Sequence, residues 1–200
     1  MPSTVTSSES SSGLSLAARI QEGSALAWAD LVSLYAPLIE SWCRQLGVEA
    51  AARADIGQEV FLAVHRGIAK FDPTHPRATF RGWVWTITRN AILQWWRRNE
   101  PAGTGGSTAL ARLSEIPDPC VDAAGDSPPT DSNDLANLIS RALDQIRPEL
   151  EEHTWEAFWK TAVLGQSATR VAEELSMTSM AVRQAKSRVL RRLRKQLGDA

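Results

Sequence analysis

The sequence predicts an all-α protein: two small helical domains joined by a flexible acidic linker. Three observations carry this. Eight segments place apolar residues at three-and-four spacing, no segment alternates apolar and polar residues as a half-buried strand would, and the stretch 101–134 has neither period. That stretch contains PAGTGGS, IPDP and DSPPTDSND, rich in residues that break helices and strands and poor in core formers. A long ordered loop on one domain is the alternative, but structureless loops of this length are uncommon in compact domains.

In chain order, the Ser/Thr-rich residues 1–13 read as a disordered tail. Helices are expected at 14–20, 25–47, 55–71 and 79–98, forming a first domain over 14–100. In the third helix, Ile56, Val60, Phe61, Val64 and Ile68 share one face, and Asp55, Gln58, Glu59, Leu62 and Arg66 share the other. An acidic and amide face with one exposed leucine reads either as a docking surface for another protein or as a solvated face with a stray Leu. Gly57 weakens this helix by about 0.5 to 1 kcal/mol relative to Ala. Residues 71–77 must be a loop, because Pro73 and Pro76 bias their predecessors away from helix. The fourth helix holds four of the eight Trp, together with Arg81, Arg89, Arg97 and Arg98. Its apolar residues make two stripes, a core stripe through Phe80, Trp83, Val84, Ile87, Ala91 and Trp95, and a second through Trp85, Ile92 and Trp96, flanked by Arg89. Aromatic faces interleaved with Arg suit a nucleic-acid strand with unstacked bases, and burial on two sides within a bundle explains the pattern equally well.

The linker spans 101–134, and a second domain over 135–200 follows, with helices at 135–147, 149–164, 167–175 and 179–197. Leu135, Leu138, Ile139, Ala142, Leu143 and Ile146 form an unbroken stripe in the first of these. The last two have the layout of a helix-turn-helix. A short helix is capped by Ser167, a break falls at Ser176, Met177 and Thr178, and a longer helix opens with Thr178 or Ser179 as N-cap. Val182, Ala185, Val189, Leu190, Leu193 and Leu197 face inward; Arg183, Gln184, Ser187, Arg188, Arg191, Arg194 and Lys195 face outward. A helix entering a major groove needs such a set, with Arg, Gln and Ser near its N-terminal half for base edges and further cations for phosphates. Lys186 lies toward the apolar side, its stem along the core edge and its ammonium reaching out. The plainer reading is a solvated basic face on a helical hairpin.

The 200 residues, 43% of them apolar, allow one medium domain or two small ones and argue against disorder of the whole chain. Cys43 and Cys120 stand apart from each other and from any His pair, which excludes a zinc ribbon and argues against a disulfide-stapled secreted fold. No apolar run approaches the roughly 20 residues that span a bilayer, and the N-terminus lacks a basic-then-apolar pattern. A cytoplasmic protein with no membrane partner is expected. His65, His75 and His153 are scattered, so no catalytic residue, metal site or cofactor is expected and an enzyme is not. The net charge of −1 conceals opposed blocks: +3 over 31–100, −5 over 101–134 and +5 over the last forty residues. A neutral total therefore does not exclude a polyanionic partner.

The stretches ALAWADLVSLYAPLIESWCRQLG, DIGQEVFLAVHRGIAKFDP and ATFRGWVWTITRNAILQWWRR resemble region two of the extracytoplasmic-function (ECF) type of bacterial RNA polymerase sigma factor. GQSATRVAEELSMTSMAVRQAKSRVLRRLRKQL resembles region four of the same family. The resemblance covers roughly 14–98 and 135–197. It implies a non-enzymatic subunit that directs core RNA polymerase to promoters and supports strand opening. By position, Asp55, Gln58, Glu59 and Leu62 would dock on the polymerase clamp. The loop 71–80 with Arg77, and the helix carrying Arg81, Trp83, Trp85, Arg89, Asn90, Arg97 and Arg98, would hold the melted minus-ten element. Arg183, Gln184, Ser187 and Arg188, flanked by Thr178, Lys186 and Arg191, would read the duplex minus-thirty-five element. The acidic linker would thread through the polymerase. The implied partners are core RNA polymerase and promoter DNA, duplex and melted, with an anti-sigma factor as a candidate regulator. Gly57 stands where the family usually has an aliphatic residue, and Gln94 where an acidic one is common. A long C-terminal sensing domain is not expected, and control by a partner or by expression is. The rival reading is a stand-alone helix-turn-helix regulator with an unrelated helical sensing domain, which would bind specific duplex DNA without polymerase.

Overall fold

A computed structural model of the chain describes residues 14–72, 79–99, 128–129 and 131–199. Among these it has eight α-helices and no strand: α1 (Leu16–Gln21), α2 (Ala25–Gln45), α3 (Ala50–Gly67), α4 (Phe80–Asn99), α5 (Ser132–Ile146), α6 (Glu152–Phe158), α7 (Ala168–Glu174) and α8 (Ser179–Gln196).

Side-chain caps set most of the starts. Ser15, Ser24, Asp131, Ser167 and Thr178 each accept a hydrogen bond from the backbone N–H three residues on, occupying a donor the helix itself leaves free. Three boundaries differ from the sequence expectation. α3 begins five residues early, because Ala50, Ala51, Ala52 and Ala54 are strong helix formers that add no large apolar stripe for periodicity to detect. It ends in a 3-10 turn, Ile68–Lys70. α5 starts three residues inside the expected linker, because Asp131 caps it through Asp134 N–H at 2.7 Å. The single helix expected at 149–164 is instead a 3-10 turn (Arg147–Glu149), α6, and a π-helical continuation (Trp159–Val163). The tail 1–13 and most of the expected linker lie outside the described residues.

Packing forms one large core and one small one. The large core takes buried residues from α1 to α4 together with Leu138, Ala142, Leu143 and Ile146 of α5, Phe158 of α6, and Val189 and Leu193 of α8. The small core lies under the helix-turn-helix: Ala157, Val171, Ala172, Val182 and Ala185. α5 and the second half of α8 thus pack against the N-terminal helices. A polar junction accompanies this packing. Gln196, 1% exposed, accepts from Arg19 (3.3 Å) and Arg192 (3.1 Å) and donates to Gln145 (2.8 Å) and Asp30 (3.4 Å). Arg19 also pairs with Asp30 at 3.1 Å. With both its amide groups engaged, Gln196 can be buried without the penalty of an unmade hydrogen bond.

Candidate nucleic-acid interface

The turn before α8 puts Ser176 in the left-handed region, φ 53°, which brings the chain around sharply enough for α7 and α8 to share the small core. With Val182, Ala185 and Val189 buried there and below, helical geometry forces the intervening residues outward. Arg183, Gln184, Ser187, Arg188, Arg191 and Arg194 are exposed, and Lys186 is half-buried along the edge. Arg183, Lys186, Ser187, Leu190, Arg191 and Arg194 line one shallow groove. Thr178 is spent as the N-cap, its hydroxyl accepting from Ala181 N–H at 3.1 Å. Arg192 leaves the basic face to make a two-pronged pair with Glu149, at 2.7 and 2.8 Å. The preceding elements are tied together by Glu174, which bonds Lys160 of the π-helical turn and Arg170 of α7, each at 2.9 Å. Hydrogen bonds from Lys160 and then Arg170 hold its carboxyl below the usual range. The exposed face has the charge and the groups to bind phosphates and base edges.

In α4 the structure corrects two assignments. Trp85 is 2% exposed, its ring edge-on to Trp42 with centroids 5.2 Å apart, and Arg89 is 1% exposed. Neither presents a surface to a nucleic-acid strand. The second apolar stripe is core because α4 packs between α2 and α3, so both of its apolar faces are covered. Trp83 is half-buried, tilted against Phe71 (5.2 Å) and Phe80 (5.6 Å), with its ring over Gly67, where a Cβ would lie 3.1 Å from it. Arg81 is half-buried; Asn90, Arg97 and Arg98 are exposed. Arg77 lies outside the described residues.

On α3, Asp55 and Gln58 are exposed, Glu59 is half-buried and Leu62 is 55% exposed. Leu62 does not stand alone. It joins Glu59, Ala63, Arg66, Ile87, Asn90, Ala91, Gln94 and Arg98 around a groove between α3 and α4. Arg98 spans the rim, bonding both oxygens of Glu59 at 3.0 Å. Residues that sequence position grouped as one minus-ten set therefore divide. Arg81 and Trp83 sit at the start of α4, while Arg98 sits with the α3 face, about 25 Å further along at about 1.5 Å per residue.

Sequence reasoning missed a set of residues at the start of α4. Tyr35, Phe71, Phe80 and Trp83 form one aromatic cluster, with Tyr35 and Phe80 edge-on at 5.5 Å and Phe71 and Phe80 at 5.3 Å. Residues 197–199 lie against it: Tyr35 Oη donates to Leu197 O at 2.8 Å, and Asp199 Oδ1 accepts from Phe80 N–H at 2.9 Å. The available signals were the core stripe of α4, which holds Phe80 and Trp83, and that Tyr35 is the sole tyrosine. Among the described residues, no three His, Cys, Asp or Glu side chains gather as metal ligands, and no helix is long and apolar enough to cross a membrane.

Residues 31–101 match the family described as Sigma-70 region 2. A probable RNA polymerase sigma factor, RfaY, of Xanthomonas campestris pv. campestris is 29% identical over 149 residues, covering 74% of this chain and 35% of the relative. The RNA polymerase sigma factor CnrH of Cupriavidus metallidurans is 25% identical over 168 residues, 84% of each chain. The chain thus spans about a third of the first relative's length and most of the second's. Among solved structures, CnrH in complex with the cytosolic domain of CnrY matches with a TM-score of 0.38 at 24% identity, over 89% of this chain and 92% of that one. The RsbN-BldN complex matches with a TM-score of 0.35 at 20% identity, over 88% and 96%.

Proposed function

We propose that this chain, a homologue of ECF sigma factors that carries a sigma-70 region 2 domain over residues 31–101, is a promoter-specificity subunit of RNA polymerase. One observation carries the reading. The region-two match stands on the same chain as a helix-turn-helix whose second helix turns an exposed basic face outward. The chain supplies recognition and the polymerase the chemistry. The acidic face of α3, with Asp55, Gln58, Glu59 and Leu62 beside the α3–α4 groove, would dock on core polymerase. Its exposed leucine supplies an apolar anchor within a polar rim, the usual make-up of an interface centre.

Arg81 and Trp83 at the start of α4 would meet the melted minus-ten strand, where a ring stacks on a base and a guanidinium holds phosphate. Asn90 and Arg98 line the docking groove and belong to the polymerase contact more readily than to DNA. Arg183, Gln184, Ser187, Arg188 and Arg191 would read the duplex minus-thirty-five element, with Lys186 on phosphate from the flank. Transcription reconstituted with core polymerase and a promoter library tests the reading. Promoter-dependent initiation that requires this chain is expected. Sequence-specific duplex binding by the chain alone, with no effect of polymerase, would favour the stand-alone regulator.

A further inference from the structure

The two methionines that flank the start of α8 are placed oppositely by the fold. Met177 packs on the small core, whereas Met180, in the first turn of α8, is 63% exposed and stands outside both cores. The hydroxyl of Thr178 is turned back to Ala181 N–H at 3.1 Å, and Ser179 is half-buried. Met180 is therefore the large side chain that the leading end of α8 offers to solvent. At about 100° per residue, helical geometry puts it in line with Gln184, Ser187 and Arg191, all four within about 60° of arc. Arg183, Arg188 and Arg194 flank that line. All of these are exposed, and α8 carries no acidic residue. Met180 thus lies on the midline of the outward basic face and not at its border.

Charge makes a polyanion the occupant this face fits. A recognition helix that enters a major groove meets base edges with its N-terminal residues, where Met180 stands. Its side chain has no hydrogen-bond donor, and its thioether accepts only weakly. Covering the amino, carbonyl or ring-nitrogen groups of a base edge would leave them unpaired, at a cost. The one apolar group that base pairs present in the major groove is the C5 methyl of thymine. An unbranched, polarisable side chain adapts well to so small an apolar target. Gln184, one turn on and about 6 Å along the axis, has the paired donor and acceptor that fit adenine. Met180 and Arg183 are about 4.5 Å apart along the axis, so the base pairs they meet lie within about two steps of each other at about 3.4 Å per step.

We propose that Met180 is a specificity-determining residue of the duplex interface, its side chain lying against the C5 methyl of one thymine within about two base-pair steps of the base met by Arg183. The proposal deepens the minus-thirty-five reading of α8 and rests on it. It adds a preference carried by an apolar contact, which salt does not screen and which cations on phosphate cannot supply.

The test uses the full chain bound to core RNA polymerase and the duplex that this complex selects from a random library. Each thymine of that duplex is replaced in turn by deoxyuridine, which removes the C5 methyl and leaves every hydrogen-bonding group in place. At one position the replacement should weaken binding by the wild type about fourfold, the effect of uncovering one methyl group at about 0.8 kcal/mol. Met180→Ala should bind the thymine duplex about fourfold more weakly and lose the distinction at that position, while keeping any other; Met180→Leu should retain most of it. Because the side chain is exposed, circular dichroism should show both variants folded as the wild type. If no thymine shows a sensitivity that Met180→Ala abolishes, the assignment is overturned. A Met180→Ala chain that co-purifies poorly with core polymerase and keeps its thymine preference also overturns it, and makes Met180 a protein contact. If Arg183→Ala and Arg188→Ala alter the selected sequence while Met180→Ala does not, the reading of α8 stands and Met180 alone fails; if none of the three alters it, both fall.

Discussion

Trp85→Ala tests whether the Trp-rich helix buries this ring in the core or offers it to a nucleic-acid strand. The residue is 2% exposed and edge-on to Trp42, which is itself fully buried between α2 and α4. Truncating a buried Trp to Ala removes the transfer energy of the ring and leaves a cavity, together about 3 to 5 kcal/mol. Part of that, about 0.5 to 1.5 kcal/mol, is the aromatic pair itself. A domain has only about 5 to 15 kcal/mol of net stability, so this is a large fraction of the total. At about 2 to 4 °C per kcal/mol for a chain of this size, the melting temperature should fall by roughly 6 to 20 °C. Thermal unfolding followed by circular dichroism measures it, with Trp85→Phe as the control expected to lose much less. A Trp85→Ala protein that melts with the wild type yet loses single-stranded DNA affinity would refute the burial argument and return Trp85 to the nucleic-acid surface.

Reversing Asp55 and Glu59 to Lys should weaken co-purification with core polymerase and cost little stability, because the Glu59–Arg98 pair is exposed and such pairs contribute about 0 to 1 kcal/mol; undiminished co-purification would defeat the docking assignment. Arg183→Ala and Arg188→Ala should each cost about 1 to 3 kcal/mol in binding to the preferred promoter if they reach base edges. An equal loss on every sequence in a competition assay would make them phosphate contacts. Burial pushes the Cys43 thiol up to about 11, with Arg53 opposing and Glu40 adding to the shift. Iodoacetamide at neutral pH should therefore spare Cys43 in the folded chain and modify it in denaturant; mass spectrometry showing equal labelling in both would contradict its burial.

Much of the fold was legible because its signals are local. Ser167 and Thr178 announce helix starts through hydroxyls that reach three residues along the same chain, and the stripe through Val182, Ala185, Val189 and Leu193 fixes which face of α8 is buried. What a buried face packs against is not local. The two apolar stripes of α4 fitted base stacking and double-sided burial equally well, and only the placement of α4 between α2 and α3 decided for Trp85. Arg89 misled for the same reason: its charge argued for the surface, and its position between two covered faces puts it inside. Arg98 shows the converse. Sequence order joined it to Arg97 on a supposed DNA face, while its side chain crosses 39 positions back to Glu59. Gln196 and Asp199 gave no sequence signal at all, because a polar residue at a helix end is ordinarily solvated, and their partners Asp30, Gln145 and Phe80 are distant in the chain.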